Sequence, residues 1–297
     1  MTRAAPLPDE FAWAPFSVAR ATERGIRPHR LRARDLAAPF RGVRSGSAPA
    51  TLAEWCDAYA PRLGEHQLFS HATAAGLWGL PLPTGHPLPL HVAATAGREP
   101  RAAGVVGHRV DAARIVPRRV RGLPAVSAAD AWCQVAGSLS HRDLVAAGDR
   151  LLGWPHPLVA EEVLDEAIAR HAGGRGAIAR RNARRDIRRG AASRRETLLR
   201  LDVIAAGLPE PECNGRIELA PGLVVFGDLV FRRWRVLLEY DGDHHRTDAR
   251  QFARDVDRLN ALAAHGWIVV RARSGIATAH AIADAARALR SRGWRPA

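Results

Sequence analysis

The chain has 297 residues, enough for two or three domains that each bury a core, and its 47% hydrophobic content is ordinary for a globular protein. The net charge of +14 is not ordinary and favours a polyanionic partner. Nucleic acid is preferred over a membrane surface, because no amphipathic anchor or lipidation signal accompanies the charge. The chain contains no lysine, so all of this charge comes from arginine, which a high-GC genome also enriches.

Cysteine usage and the N-terminal residues indicate the cellular compartment. Cys56, Cys133 and Cys213 are odd in number, far apart and without CxxC spacing, which argues against a disulfide framework and against a cysteine zinc site. This usage predicts a reducing, cytoplasmic compartment. The early acids Asp9 and Glu10 argue against a signal peptide, and no stretch approaches the length of a membrane span, so no membrane partner is expected.

Residues 1–46 are predicted to hold a winged helix-turn-helix region. A helix from Phe16 to Arg24 is followed by a turn at Gly25, a second helix from Pro28 to Leu36 and a short β-ribbon over residues 39–44. The second helix is basic, and its candidate DNA contacts are Arg30, Arg32 and Arg34. A helical hairpin with a solvated basic face accounts for the same pattern equally well.

Residues 47–155 are predicted to form a small α+β middle domain of amphipathic helices and short strands. We find no catalytic spacing in this region. His71, His91 and His108 stand singly among apolar residues, which is more typical of core or surface histidines than of metal ligands.

Residues 156–192 are predicted to be a basic helical linker, and Asp186 is the only acid within its run of arginines. A solvated helix face and a helix that grips phosphates explain such a run about equally well, and the carboxylate-rich domain that follows slightly favours the second. The candidate DNA contacts here are Arg181, Arg185 and Arg188.

Residues 193–297 are predicted to form a compact domain in which helices flank a mixed sheet, in the order α, β, β, β, α, β, α. Two apolar strands, 224–231 and 235–240, lie at its centre and lead into the turn Asp241-Gly242-Asp243. The whole chain is therefore predicted to be an α/β (α+β) protein.

Three carboxylates and two histidines gather at these central strands. Asp228 lies within the first strand, while Glu239 and Asp241 end the second, where strand alternation points both side chains to one side. Like charges repel when they are buried, and a divalent cation relieves that repulsion; oxygen-rich sites suit Mg²⁺ or Mn²⁺. His244 and His245 follow, and alternation lets only one of them face the metal.

Two predicted helices contribute further candidates. Glu196 either forms a capping box with Ser193 or adds a fourth carboxylate to the metal cluster. Arg254 and Arg258 lie one helical turn apart and either contact a phosphate or pair with Asp255, and the pairing is favoured.

The last hundred residues resemble the DUF559 family, relatives of the very-short-patch-repair endonucleases within the PD-(D/E)XK nuclease-like fold. Several motifs carry the resemblance in the right order: Ser193-Arg-Arg-Glu196, Gly207-Leu-Pro, Gly227-Asp228, Glu239-Tyr-Asp241-Gly242-Asp-His-His245, Arg254-Asp255 with Arg258, and Gly266-Trp267-Ile-Val-Val-Arg271. The N-terminal portion, including the segment from Ser70 to Pro81, is more weakly similar to the winged-helix domain of AbiEi-type antitoxins.

The resemblance implies a metal-dependent enzyme that nicks or cleaves DNA. It assigns Asp228 to the strand aspartate that holds Mg²⁺, Glu196 to the glutamate near the metal-bound water, and His245 to the histidine that activates water. Glu239 and Asp241 occupy the positions of the E-x-K motif, so an aspartate replaces the lysine. The very-short-patch-repair enzymes also lack that lysine, so activity is not excluded, but water activation then falls to His245 or the metal. Their structural zinc is not expected here.

We therefore expect a metal-dependent endonuclease that hydrolyses phosphodiester bonds in double-stranded DNA, in repair or in defence against phages and mobile elements. Its metal ligands are expected to be Asp228 and Glu239, with Mg²⁺ or Mn²⁺ as the cofactor. The alternative is a DNA-binding regulator or antitoxin-like protein whose nuclease fold is inactive. An RNA-directed nuclease is a third, weaker alternative, since no interleaved aromatic residues indicate single-strand binding.

Overall fold

The structure is a computed structural model, and it describes residues 5–83, 88–241, 249–273 and 278–296; at 241, 249–253 and 273 it describes the backbone alone. The chain has an α+β fold, as predicted. It divides into two compact units, Met1–Leu139 with Glu161–Arg181, and Ser140–Ala160 with Asn182–Ala297. This division differs from the predicted boundaries at 46, 155 and 192. No helix in the described parts is long and apolar enough to cross a bilayer.

The elements are numbered in chain order. The helices are α1 (Asp9–Ala12), α2 (Val18–Glu23), α3 (Leu52–Tyr59), α4 (His71–Leu77), α5 (Ala128–Val135), α6 (His141–Leu151), α7 (Glu161–Arg170), α8 (Ala177–Asp186), α9 (Arg194–Ala205), α10 (Ala249–Ala264) and α11 (Thr278–Ser291). The strands are β1 (Phe16–Ser17), β2 (Val43–Arg44), β3 (Gln67–Phe69), β4 (Leu90–Ala94), β5 (Val105–Arg109), β6 (Pro117–Val120), β7 (Leu123–Val126), β8 (Glu212–Ala220), β9 (Leu223–Phe231), β10 (Val236–Asp241) and β11 (Ile268–Arg273).

The N-terminal region follows the prediction only in part. Helix α2 ends before Gly25, whose positive φ of 83° suits glycine, and β1 pairs with β2 as a short antiparallel ribbon. The predicted helix from Pro28 to Leu36 is wrong, because only a 3-10 turn, Arg30–Arg32, forms there. Arg30 helps to hold that turn, since its guanidinium binds both carboxylate oxygens of Asp35 at 3.0 and 2.9 Å.

The first unit contains a five-stranded mixed sheet in the order β5-β4-β3-β7-β6. Strand β4 runs parallel to β5 and antiparallel to β3, while β3 runs parallel to β7. Sequence analysis missed β3, which has only three residues, and β7, which contains Pro124; both features weaken a strand signal.

The second unit contains a four-stranded sheet in the order β11-β10-β9-β8, and the predicted order of elements from 193 onwards is confirmed. Side chains of β10 alternate between two cores. Val236 and Leu238 pack with residues of α9 and α11, whereas Leu237 packs with Leu262 of α10. Glu239 is therefore expected on the face that α10 covers.

Candidate functional site

Asp228 and Glu239 meet where the pairing between β9 and β10 stops. The antiparallel register ends with Leu238 opposite Leu229, so these two carboxylates are the next residues along the two strands. Beyond this point the backbone N–H of Tyr240 bonds to a side chain instead of to the backbone of β9. It donates to Oδ2 of Asp228 at 2.8 Å. The strands thus hold both side chains at one end of the paired region.

Glu239 is 6% exposed and lies against α10, as strand alternation predicts. Arg258 of α10 donates to both of its carboxylate oxygens, at 2.5 and 2.8 Å, and also to the carbonyl oxygen of Phe226 at 3.2 Å. The pairing predicted for Arg258 was with Asp255, but the acid to which it is hydrogen-bonded is Glu239. Such a two-bond contact neutralises the Glu239 charge within the protein.

Glu196 lies in the first turn of α9 and serves the end of that helix. Its backbone N–H donates to Ser193 Oγ at 3.2 Å, which is the first half of the predicted capping box. Its Oε2 accepts from the N–H of Ala192 and from Nδ2 of Asn214, both at 2.9 Å. Asn214 of β8 adopts a positive φ of 44°, so a residue in the left-handed region helps to position the carboxylate.

The three carboxylates influence one another. Burial, the neighbouring Glu196 and, more weakly, Glu239 raise the pKa of Asp228 to about 7, although the Tyr240 N–H and Arg258 act in the opposite direction. Arg258 therefore compensates only part of the negative charge at this place. A cation bound beside Asp228 would relieve the remainder.

The donor chemistry of Asp228, Glu239 and Glu196 fits Mg²⁺ or Mn²⁺, since all three offer carboxylate oxygens. Their spacing is wider than one ion requires, because among the described side chains only a histidine group places three ligand atoms within 4.8 Å of one another. The side chain of Asp241, which ends β10, and the whole of His244 and His245 lie outside the described residues.

Arg195 is a neighbour of this site that the sequence prediction did not include. It is exposed, its guanidinium lies 5.3 Å from the ring centroid of Tyr240, and it donates to the Tyr240 hydroxyl at 2.5 Å. Tyr240 also donates its backbone N–H to Asp228, so Arg195 and Asp228 contact the same residue, one through its side chain and the other through its backbone. The Ser193-Arg-Arg-Glu196 motif contains Arg195 but gives no sign of this contact.

The predicted DNA-contacting arginines divide into two groups. Arg32, Arg34, Arg181, Arg185 and Arg254 are exposed. Three others are held by acids: Arg30 by Asp35, Arg188 by Glu210 at 2.6 Å, and Arg258 by Glu239. The first group keeps its place as candidate phosphate contacts, whereas the guanidinium groups of the second are engaged by carboxylates in this structure.

A second cluster, which the sequence analysis did not detect, lies in the first unit. His71, His91 and His108, described above as single core or surface histidines, come together with their ligand atoms within 4.8 Å. Burial lowers the pKa of His71 to about 3, helped by the neighbouring histidines, and it also lowers the pKa of His91 and His108. The register between β4 and β5 brings the two strand histidines together, because His91 pairs with Val106, two residues before His108. Knowledge of this register would have predicted the cluster.

The comparisons with known proteins leave the activity open. The chain is 27% identical over 208 residues, 70% of its length and 74% of the relative's, to the uncharacterized protein MT2308 of Mycobacterium tuberculosis strain CDC 1551 / Oshkosh. The uncharacterized protein Rv2248 of Mycobacterium tuberculosis strain ATCC 25618 / H37Rv matches with the same identity and coverage. No family model and no solved structure match the chain. The resemblance of the C-terminal residues therefore stays a prediction.

Proposed function

We propose that this protein is a metal-dependent endonuclease that hydrolyses phosphodiester bonds in double-stranded DNA. The observation that carries the proposal is the juxtaposition of Asp228 and Glu239 at the end of two paired strands, with Glu196 close enough to raise the pKa of Asp228. If these residues had only a structural role, uncharged side chains would be more stable here, because buried carboxylates repel one another. The charge of +14 suits the polyanionic substrate.

The residues would divide the work as follows. Asp228 and Glu239 would hold Mg²⁺ or Mn²⁺, and the bound ion would polarise the phosphoryl group and lower the pKa of a water molecule. Glu239 would have to exchange the Arg258 hydrogen bonds for the metal, which would free that guanidinium beside the substrate. Arg195 is exposed next to Tyr240 and would hold a phosphate of the DNA backbone.

A plasmid-nicking assay with Mg²⁺ or Mn²⁺ against chelator tests the proposal. Asp228→Asn keeps an acceptor oxygen for the Tyr240 N–H but removes the charge, so we expect at least a hundredfold loss of metal-dependent nicking. Asp284→Asn is the matched control, since Asp284 is exposed on α11 and pairs only locally with Arg287. Equal nicking by wild type and Asp228→Asn would contradict the assignment.

The Arg258–Glu239 ion pair favours one alternative function. Both oxygens of Glu239 are occupied by Arg258, which would suit a DNA-binding regulator whose nuclease fold is inactive. In that case no variant has nicking to lose, while binding to DNA persists and weakens with salt. The regulator is supported if the wild-type protein binds supercoiled, mismatched and single-stranded DNA but nicks none of them.

A further inference from the structure

The three histidines of the first unit come from three separate elements. His71 begins α4, His91 lies on β4 and His108 on β5. Parallel pairing places His91 opposite Val106 and Ala93 opposite His108, so the two strand histidines are diagonal neighbours on one face of the sheet. The start of α4 brings His71 to the same place, where its ring stacks on that of His108 with the centroids 3.7 Å apart.

The nitrogen atoms are close to the spacing that a shared metal requires. Nδ1 of His91 lies 2.9 Å from Nε2 of His108, and one ligand nitrogen of each of the three rings lies within 4.8 Å of the others. A tetrahedral zinc site with ordinary Zn–N bonds separates its nitrogen ligands by about 3.3 Å. His71 and His108 are stacked at an interplanar angle of 17°, so their nitrogen lone pairs do not converge as they stand. Admitting the ion requires a rotation of one ring out of this stack as well as an opening of a few tenths of an ångström between His91 and His108.

The neighbours of His71 hold its ring as the supporting residues of a metal site do. Oγ of the fully buried Ser70 lies 3.0 Å from Nδ1 of His71, which leaves Nε2 as the ligand atom. The backbone of His71 has a positive φ of 48°, a conformation that is unfavourable for a non-glycine residue. Gln134 supports this backbone, because its Oε1 accepts the His71 N–H at 2.8 Å.

The cluster opens into a cleft of about 810 Å³ that all three histidines line. Arg114 and Arg175 line the same cleft. Arg180 lines it as well but is engaged elsewhere, because its guanidinium binds the carbonyl oxygens of Cys133, Arg175 and Gly173 at 2.9–3.0 Å. A site with three imidazole ligands keeps a fourth position for a water or a substrate atom, and the arginines favour an oxyanion there.

We propose that His71, His91 and His108 form a binding site for one transition-metal dication of the Zn²⁺ class, separate from the carboxylate site. Three nitrogen donors without a carboxylate suit Zn²⁺ and Co²⁺ and disfavour Mg²⁺. The two sites are therefore expected to differ in metal preference as well as in position along the chain.

Titration of the untagged, full-length protein with Co²⁺, after treatment with chelator, tests this site. We expect one Co²⁺ per chain, with the visible absorption of four-coordinate cobalt, and displacement by Zn²⁺. His108→Gln should weaken the affinity at least tenfold. The matched control His66→Gln, at an exposed histidine of the same unit, should leave it unchanged.

The outcomes separate this site from the proposed endonuclease. Asp228→Asn should leave Co²⁺ binding intact even though it abolishes nicking. Unchanged Co²⁺ stoichiometry and affinity in a folded His108→Gln variant would overturn the proposal, as would failure of the wild-type protein to bind Co²⁺. If the variant does not fold, X-ray absorption of the wild-type Co²⁺ complex decides, since fewer than three imidazole ligands would contradict the assignment.

Discussion

Asp228 combines an observed structural role with the chemical role that we propose for it. Its carboxylate satisfies the N–H of Tyr240 where the strand pairing ends, which is a structural task. An asparagine could do the same without carrying a charge into a partly buried place. The charge is therefore the feature that needs a function, and binding a cation is the function that fits.

Asp228→Asn is expected to stabilise the metal-free protein at pH 8. Asp228 has a pKa of about 7 in the folded chain, above the ordinary value near 3.9. The native state therefore binds more protons than the unfolded state between these values, so the stability that Asp228 contributes is full below about pH 4 and is lost as the pH rises through about 7. The asparagine variant avoids this loss.

Thermal unfolding in chelator at pH 4 and pH 8 measures this effect. The melting temperatures of wild type and variant should converge at the lower pH, and the variant should melt several degrees higher at pH 8. Adding Mg²⁺ at pH 8 should raise the melting temperature of the wild type but not that of the variant. A variant less stable than wild type at pH 8 would contradict the charge argument.

Arg258→Met is expected to destabilise the protein by about 2–4 kcal/mol, because it leaves the largely buried carboxylate of Glu239 without its two hydrogen bonds. Glu239→Gln in the same chain should restore part of the loss, since it removes the uncompensated charge. Urea unfolding of both single variants and the double variant gives a coupling energy of about 1–3 kcal/mol. Additive effects of the two substitutions would argue against the ion pair.

At the scale of elements, Asp130 ties together α5, α7 and the segment before β6. This fully buried carboxylate accepts from the Val116 N–H at 2.8 Å, Ser127 Oγ at 2.6 Å and Arg170 at 3.0 Å, and it lies 3.2 Å from Nε2 of His171. Burial alone would raise the pKa of Asp130, but these hydrogen bonds outweigh it and hold the pKa below its ordinary value.

Asp130→Asn is therefore expected to cost about 2–4 kcal/mol of unfolding free energy at neutral pH, since it breaks a buried, charge-assisted network. A depressed pKa contributes stability that is present above the ordinary value near 3.9 and is lost as the pH falls through the folded-state value. The gap between wild type and variant should thus narrow below about pH 4. Urea unfolding at neutral pH and below about pH 4 measures this gap in unfolding free energy, and Glu65→Gln, at an exposed residue, is the control.

The helices and strands also show which parts of the fold could be predicted from the sequence. The central strands of the second unit and the helices around them follow from strong apolar periodicity. The sequence did not predict that Glu239 would face α10 and pair with Arg258. The arginine-rich stretch from Pro28 to Leu36 is not the predicted helix, because its helix propensity is a weak preference and is overridden by a turn that the Arg30–Asp35 pair holds. The histidine cluster depends on strand register, and pattern reading along one segment gives no register between strands.

At the scale of the whole molecule, the charge of +14 makes any association with DNA dependent on salt. Helix α8 carries Arg181 and Arg185, which are both exposed and lie four residues apart on one face. If six or more arginines contact phosphates, the affinity for duplex DNA should fall about a thousandfold or more between roughly 50 and 200 mM salt, because each contact releases condensed counterions.

Arg181→Gln and Arg185→Gln should each reduce the slope of log affinity against log salt concentration by about 1, with no change in sequence preference. Fluorescence anisotropy with a labelled duplex over a series of salt concentrations measures the slope. The matched control is Arg287→Gln, since Arg287 is exposed but already paired with Asp284 one helical turn away. If both α8 variants keep the wild-type slope, this helix presents a solvated face and does not contact DNA. The exposed Arg32, Arg34 and Arg254 would then be the next arginines to substitute.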